Sequence, residues 1–371
     1  MAQSQVKLGH QVYLAGDPEY LVTRHAKEAG LNVIEISFAT NNPLQWLLEK
    51  RKLKRFIKAK KIDLVNSHRP EDHLMTSFVT RNQKIPLIRT VGDVRPPKKN
   101  FFNKILHLKG TDYFIFSSEA NLVRYISRWP QLEEISKVVY GGVDLGIFQR
   151  VDKNIILLKK LGLRTDQVLI GLIGRLSEVK DHHTFIKSAS LVLDLCPDAH
   201  FIISGIDAEL SKEELAKYSA NLNIEDHITF LDFYRPIADL ISILDIAVIA
   251  SKGSEAICRI AFEYMAMGKA IVATDVNVLP EVIIDGRNGL IVAREDAYGM
   301  AQAIMKLINS EPLRQKISSQ NVSDCRKRFD LQVAAKETDL IYRFVLNAKG
   351  SWPSDWLSHP LGLWVVCITV Y

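Results

Sequence analysis

The sequence predicts an α/β protein made of two Rossmann-like domains facing each other across a cleft. Three observations carry this. Short, continuous apolar runs rich in Val and Ile alternate with polar or amphipathic stretches along almost the whole chain. The runs do not alternate apolar with polar, so they read as strands buried on both faces of parallel sheets. Their rhythm lapses over 141–166 and splits them into two sets; 371 residues suit two domains better than one.

In chain order, the first set of strands reads at 11–15, 32–36, 62–66, 85–89, 112–117 and 137–140. The second set reads at 167–173, 199–204, 227–231, 245–250 and 270–274. Repeated βαβ units imply right-handed crossovers, with ligands bound beyond the carboxyl ends of the strands. The expected division is a first domain over 1–150, a second over 151–330, a helix over 331–349 and an apolar tail over 350–371. The ten residues before the first strand read as the last turn of a helix stopped by Gly9. The tail ends in LGLWVVCITVY, 361–371, which is too short for a membrane span of roughly 20 apolar residues.

Hydrophobic residues make up 47% and charged residues 24% of the chain, as in globular proteins that bury a substantial core. The net charge of +6 favours anionic ligands or surfaces. Cys196, Cys258, Cys325 and Cys367 lie far apart with no CxxC pair and no histidine at metal spacing. They read as reduced thiols of a cytoplasmic protein, and no signal peptide is visible. The run EKRKLKRFIKAKK, 49–61, reads as a helix packed by Leu53, Phe56 and Ile57 with a solvated basic face. That face also suits anionic lipid at the inner face of a cytoplasmic membrane. No aromatic platform accompanies it, which argues against nucleic acid.

Two stretches suggest chemistry. In GLIGRLSEVKD, 171–181, a buried strand ends at Ile173 and Gly174 allows a tight turn. Arg175 and Lys180 follow, before a helix expected near Asp181. Two cations beside a helix N-terminus make a diphosphate site; the plainer reading is a βα turn with solvated charges. In SKGSEAICRIAFEYMAMGKAIVATD, 251–275, Glu255 sits on a Ser/Gly loop and Glu263 lies eight residues on. The helix between is expected from about Ala256 to Met267 and is stopped by Gly268. Carboxylates accept from vicinal diols, so the pair suits sugar hydroxyls and a ribose, with helix N–H groups facing an anion between them.

These stretches, with HITFLDF (227–233), LPEVIIDGRNGLIV (279–292) and YGGVDLGIF (140–148), resemble a family 4 retaining glycosyltransferase of the GT-B fold over roughly residues 5–345. Asp181 departs from a usual Gly, and Ile257-Cys258 stand where Phe-Gly is usual. The resemblance implies that Arg175 and Lys180 neutralise the donor diphosphate and that Glu255 contacts the donor sugar. By the same resemblance Glu263 binds the ribose, and Gly174, Ala256, Ile257, Cys258 and Arg259 lie beside the donor, while Gly205 lines the base pocket. The donor is then a nucleotide-diphosphate sugar, with no metal and no resident cofactor.

In the first half, VNSHRPEDH (65–73) and IPLIRTVGDVRPPKKNFFNKI (85–105) resemble bacterial members that build lipopolysaccharide or surface polysaccharide on a glycan or lipid-linked acceptor. The second motif usually reads Arg-Thr-Arg-His; here Arg89-Thr90-Val91-Gly92 lacks the histidine, which leaves His68 as the imidazole candidate. Leu8-Gly9-His10 matches the end of the family's first helix, so the first strand and its glycine loop are expected to be absent, with the strand-like tail as a candidate filler. The competing readings are a non-catalytic GT-B remnant that binds nucleotide sugar, and a nucleotide-sugar epimerase.

Overall fold

The computed structural model describes residues 1–348 and 364–368. It contains two compact units, Met1–Tyr140 with Leu331–Tyr371, and Gly141–Asp330. The division therefore falls ten residues before the expected boundary at 150, and the helix Leu331–Ala348 belongs to the first unit rather than standing apart. The reason is local. Ala334, Ile341, Tyr342, Val345 and Leu346 of that helix are buried in one cluster with Val12, Leu64 and Ile88 of the first sheet. Polar bonds pin the same helix: His10 Nε2 meets Asp339 Oδ1 at 2.8 Å, and Gln5 Nε2 donates to the Ala335 carbonyl at 2.9 Å.

The strands of the first unit are β1 (Gln11–Gly16), β2 (Asn32–Glu35), β3 (Leu64–Ser67), β4 (Leu87–Val91), β5 (Tyr113–Phe116) and β6 (Ser136–Val138). Those of the second unit are β7 (Leu169–Ile173), β8 (His200–Ser204), β9 (Ile228–Leu231), β10 (Ile246–Ile249), β11 (Ala270–Thr274) and β12 (Leu290–Val292). β13 (Trp364–Ile368) returns to the first sheet. The sheet orders are β2-β1-β13-β3-β4-β5-β6 and β12-β11-β10-β7-β8-β9. Every pairing is parallel. β12, at three residues, is too short to register as an apolar run of its own.

β13 lies between β1 and β3. It pairs Gln11 with Trp364 on one side and Leu64 with Val365 on the other. The tail thus supplies a strand of the first sheet, as expected, and Val365 is fully buried there. The rest of the tail, 349–363 and 369–371, lies outside the described residues.

The basic helix starts earlier than its charge run, at Pro43, where Asn42 Oδ1 caps Leu44 N and Gln45 N. Leu53 and Ile57 are fully buried and Phe56 packs edge-on against Tyr13 at 5.2 Å. The apolar stripe therefore holds the helix on the sheet, and Arg51, Lys52, Lys54, Arg55 and Lys58 face solvent.

Val365→Asp puts a carboxylate into a closed apolar cluster and removes a buried Val. It should cost unit one at least ~3 kcal/mol. Scanning calorimetry should show the transition of that unit lowered and the transition of Gly141–Asp330 unmoved; an unchanged thermogram would refute the placement of β13.

Candidate functional site

Because the second sheet is parallel, the carboxyl ends of its strands and the helix N-termini that follow them gather on one edge. β7 and β8 stay paired past their formal ends, through Gly174 N to Ser204 O at 2.9 Å and Leu176 N to Ile206 O at 2.8 Å. Gly205 makes this possible: a Cβ there would lie 1.9 Å from the Gly174 carbonyl oxygen. Gly205 is buried by that contact, so its role is to bring two backbones together.

Beyond Gly174 the chain makes a short 3-10 turn, Glu178–Lys180, and then the helix His182–Leu193. Asp181 joins them in the left-handed region, at φ +51°, and its carboxylate caps Thr184 N at 3.3 Å. A residue without a Cβ adopts this conformation freely; aspartate tolerates it and adds a cap. The expected helix start near Asp181 is met, with Asp181 itself as the cap.

The expected start at Ala256 is not. The helix runs Arg259–Ala266, and Ala256–Cys258 remain in the loop. The cause is two left-handed residues, Ser254 at φ +55° and Cys258 at φ +46°, which bend the chain around Glu255. Cys258 is the N-terminal boundary of the helix, and no side chain caps it. The helix is anchored under β7 by Tyr264, whose hydroxyl accepts from Ile173 N at 3.1 Å. Both positions where a glycine is usual by the sequence resemblance, 181 and 258, are thus left-handed here with other residues.

The charged groups meet as follows. Lys180 Nζ is ion-paired with Glu255 Oε1. The same oxygen accepts Ser251 Oγ at 2.5 Å, and Thr274 Oγ1 donates to the Ser251 carbonyl at 2.5 Å. Glu255 is only 5% exposed and Ser251 is fully buried. Burial opposes the charge on Lys180, but the facing Glu255 carboxylate prevails and holds its pKa above the ordinary lysine value. Lys252 zips the two loops together, with its N bonded to the Val179 carbonyl at 2.9 Å and its Nζ to Glu178 at 3.0 Å. Arg175 is exposed and makes no ion pair among the described residues.

Glu263 stands apart from this cluster. Among the described residues its carboxylate makes no hydrogen bond or ion pair. Burial pushes its pKa from 4.5 up to about 7, only partly countered by Arg259. Burial, with Glu255 adding to it, pushes the Cys258 thiol well above its ordinary range, so it is a packing group rather than a nucleophile. Ser251 and Thr274 escaped the reading of the sequence. The only signal was a serine four residues before Glu255, directly after a strand.

In the first unit, His68 does not suit a proton acceptor. Burial, helped by the charge of Arg89, pushes its imidazole down to about 3, and its Nε2 is sealed from solvent with no hydrogen-bond partner among the described residues. Its neighbours are structural. The Asp72 carboxylate accepts His68 N at 3.2 Å and Arg69 N at 3.0 Å, and Arg89 approaches it at 3.7 Å. His73 Nε2 bonds Thr111 Oγ1 at 2.6 Å.

Residues 154–323 match the family described as "Glycosyl transferases group 1". The chain is 28% identical over 232 residues to "Spore coat protein SA" of Bacillus subtilis strain 168, covering 58% of this chain and 60% of that one. It is 27% identical over 221 residues to "Lipopolysaccharide core biosynthesis mannosyltransferase LpsB" of Rhizobium meliloti strain 1021, covering 58% and 63%. It therefore spans less than two thirds of the length of these relatives. Among solved structures, a glycosyltransferase from Rickettsia africae ESF-5 superposes with a TM-score of 0.84 at 19% identity, over 93% of this chain and 94% of that one. Anabaena Alr3699/HepE in complex with UDP superposes with a TM-score of 0.82 at 19% identity, over 92% and 95%. Residues 154–323 thus match the group 1 glycosyl transferase family, and the chain has the GT-B fold.

Proposed function

We propose that this protein is a retaining glycosyltransferase of family 4. It moves a sugar from a nucleotide-diphosphate donor to a hydroxyl of a glycan or lipid-linked acceptor in surface polysaccharide or lipopolysaccharide synthesis. The observation that carries this is the pairing of Lys180 with Glu255 at the carboxyl edge of the second sheet, with Arg175 on the same loop as Lys180, within the stretch that matches the family. A structural neighbour holding UDP and a mannosyltransferase relative support a nucleotide-sugar donor and a saccharide product.

In this reading Arg175 and Lys180 meet the charge that develops on the leaving diphosphate, together with the uncapped N-terminus of the helix Arg259–Ala266. Glu263 accepts from the ribose diol, and Glu255 from the donor sugar. The bond from the anomeric carbon to the phosphate oxygen breaks. The acceptor oxygen bonds to the same face, and its proton passes to the departing phosphate. No metal and no histidine base is needed for this sequence of events, so the poor fit of His68 costs nothing.

A panel of UDP-, GDP- and ADP-sugars should contain one that is hydrolysed slowly alone and consumed faster with acceptor, with the anomeric configuration kept in the NMR spectrum of the product. Lys180→Ala should lower the rate by roughly 100-fold or more. The same change strands a buried Glu255 and should cost stability as well. Wild-type rates in that variant would remove Lys180 from the mechanism.

Glu263 should show a trade between stability and binding. Its folded pKa lies near 7 and its ordinary value at 4.5, so its stabilising effect is present below 4.5 and is lost as pH rises through 7. Glu263→Gln should therefore match the wild type in melting at pH 4 and exceed it at pH 8, by roughly 3 kcal/mol. The bound nucleoside diphosphate needs the carboxylate, so the advantage of wild type over Glu263→Gln in affinity should grow from pH 6 to pH 8. Equal affinities at pH 8 would exclude a ribose contact.

The lipid-linked acceptor suits the basic helix Pro43–Ala59, which also exposes Leu44 (73%) and Leu48 (61%) at its N-terminal end. The protein should sediment with vesicles containing phosphatidylglycerol and be released by high salt; equal binding to neutral phosphatidylcholine vesicles would rule out this electrostatic docking.

A further inference from the structure

The donor residues are bonded to each other. Lys180, assigned above to the diphosphate, is tied to Glu255, assigned above to the donor sugar, and both are largely withdrawn from solvent. A cation engaged by a buried carboxylate is not free for a phosphate, and the carboxylate is not free for a hydroxyl. We propose that this ion pair is a latch on the empty site, opened by the donor, and that Ser251 is the positioning residue that keeps the cost of opening low. The proposal rests on the nucleotide-sugar reading of the site and adds the order of events within it.

The physical case lies in what happens to Glu255 when Lys180 leaves. A buried carboxylate stripped of its counter-charge is strongly unfavourable. Here it keeps the Ser251 hydroxyl, 2.5 Å from the same oxygen that Lys180 vacates. Ser251 is itself held in place: Thr274 Oγ1 donates to its carbonyl, and both side chains are fully buried. A donor-group hydrogen bond to a charged acceptor is worth more than one to a neutral group, so this contact supports the open state. The sugar hydroxyls of the donor then replace the ammonium. A bare nucleoside diphosphate takes Lys180 away and brings nothing back to Glu255. The full donor does both. Glu255 should therefore oppose binding of the diphosphate alone and favour binding of the nucleotide sugar, and this reversal in sign is the signature of the latch.

Calorimetry with UDP, GDP and ADP, and with the nucleotide sugar that the wild type binds, tests this. Glu255→Gln should bind the diphosphate roughly ten-fold more tightly than wild type and the nucleotide sugar more weakly. Ser251→Ala should weaken the diphosphate several-fold, and that loss should vanish in the Glu255→Gln background, which a merely structural role of Ser251 would not produce. Unchanged or weaker diphosphate binding by Glu255→Gln overturns the latch. Should that variant not fold, Glu255→Asp withdraws the carboxylate from Lys180 by one methylene and must shift the diphosphate affinity in the same direction. A wild type that binds nucleotide sugar with none of these shifts refutes the latch alone. A wild type that binds no nucleoside diphosphate and no nucleotide sugar overturns the functional reading on which the latch stands.

Discussion

Gly205 against the carbonyl of Gly174 is the contact on which the site is built. It lets β7 and β8 run together past their last strand residues, so the two chains leave the sheet side by side. Leu176 is then carried on to Ile206 and Asp207, and the 3-10 turn bearing Lys180 starts from a fixed point. On the other side of β7, β10 hands the chain to Ser251. Lys252 bonds that chain to Val179 and Glu178. The loop with the cation and the loop with the carboxylate are thereby set on one rigid edge, which is how a parallel sheet concentrates chemistry from distant parts of a sequence.

Two of the left-handed residues, Asp181 and Cys258, show where local preference is overridden. Asp181 and Cys258 each occupy a conformation that costs an ordinary residue about 1–2 kcal/mol. Asp181 offsets part of that with its cap on Thr184. Cys258 is buried, with its thiol beside the Glu255 carboxylate, so the surrounding fold holds it. Strain of this kind persists only where the surroundings over-determine the backbone, and both residues flank the site. Their conformation also fixes where the helix Arg259–Ala266 begins, and so where its N-terminal N–H groups lie.

Charge in this unit is arranged at the expense of stability. Lys180 and Glu255 are buried as a pair, which is costly to desolvate and costlier to separate. Glu263 carries a carboxyl whose charge burial resists, with no partner among the described residues. A site evolved for stability alone would use apolar groups in all three positions. The first unit offers the contrast: there Asp72, His73 and Thr90 spend their hydrogen bonds on caps and cross-links, and Asn66 ties Thr90 Oγ1 to the hydroxyl of Tyr342.

The α/β class and the strand positions were legible from the sequence because they rest on local pattern, and so was the spacing of the candidate residues Arg175, Lys180, Glu255 and Glu263. Continuous Val/Ile runs mark buried parallel strands, and a Gly-Arg loop or a Glu eight residues before another Glu keeps its spacing in any context. Boundaries were less legible: the helix expected from Ala256 begins at Arg259, because left-handed φ at Cys258 is imposed by packing. What only the tertiary structure decided depends on residues far apart in the chain. Docking of Leu331–Ala348 on the first sheet, the burial that lowers the His68 pKa, the register of 364–368 between β1 and β3, and the bond between Lys180 and Glu255 all join segments far apart in the chain, and local sequence does not fix how they meet. Sequence spacing fixes which residues a strand or helix presents; only the closed fold fixes what they face.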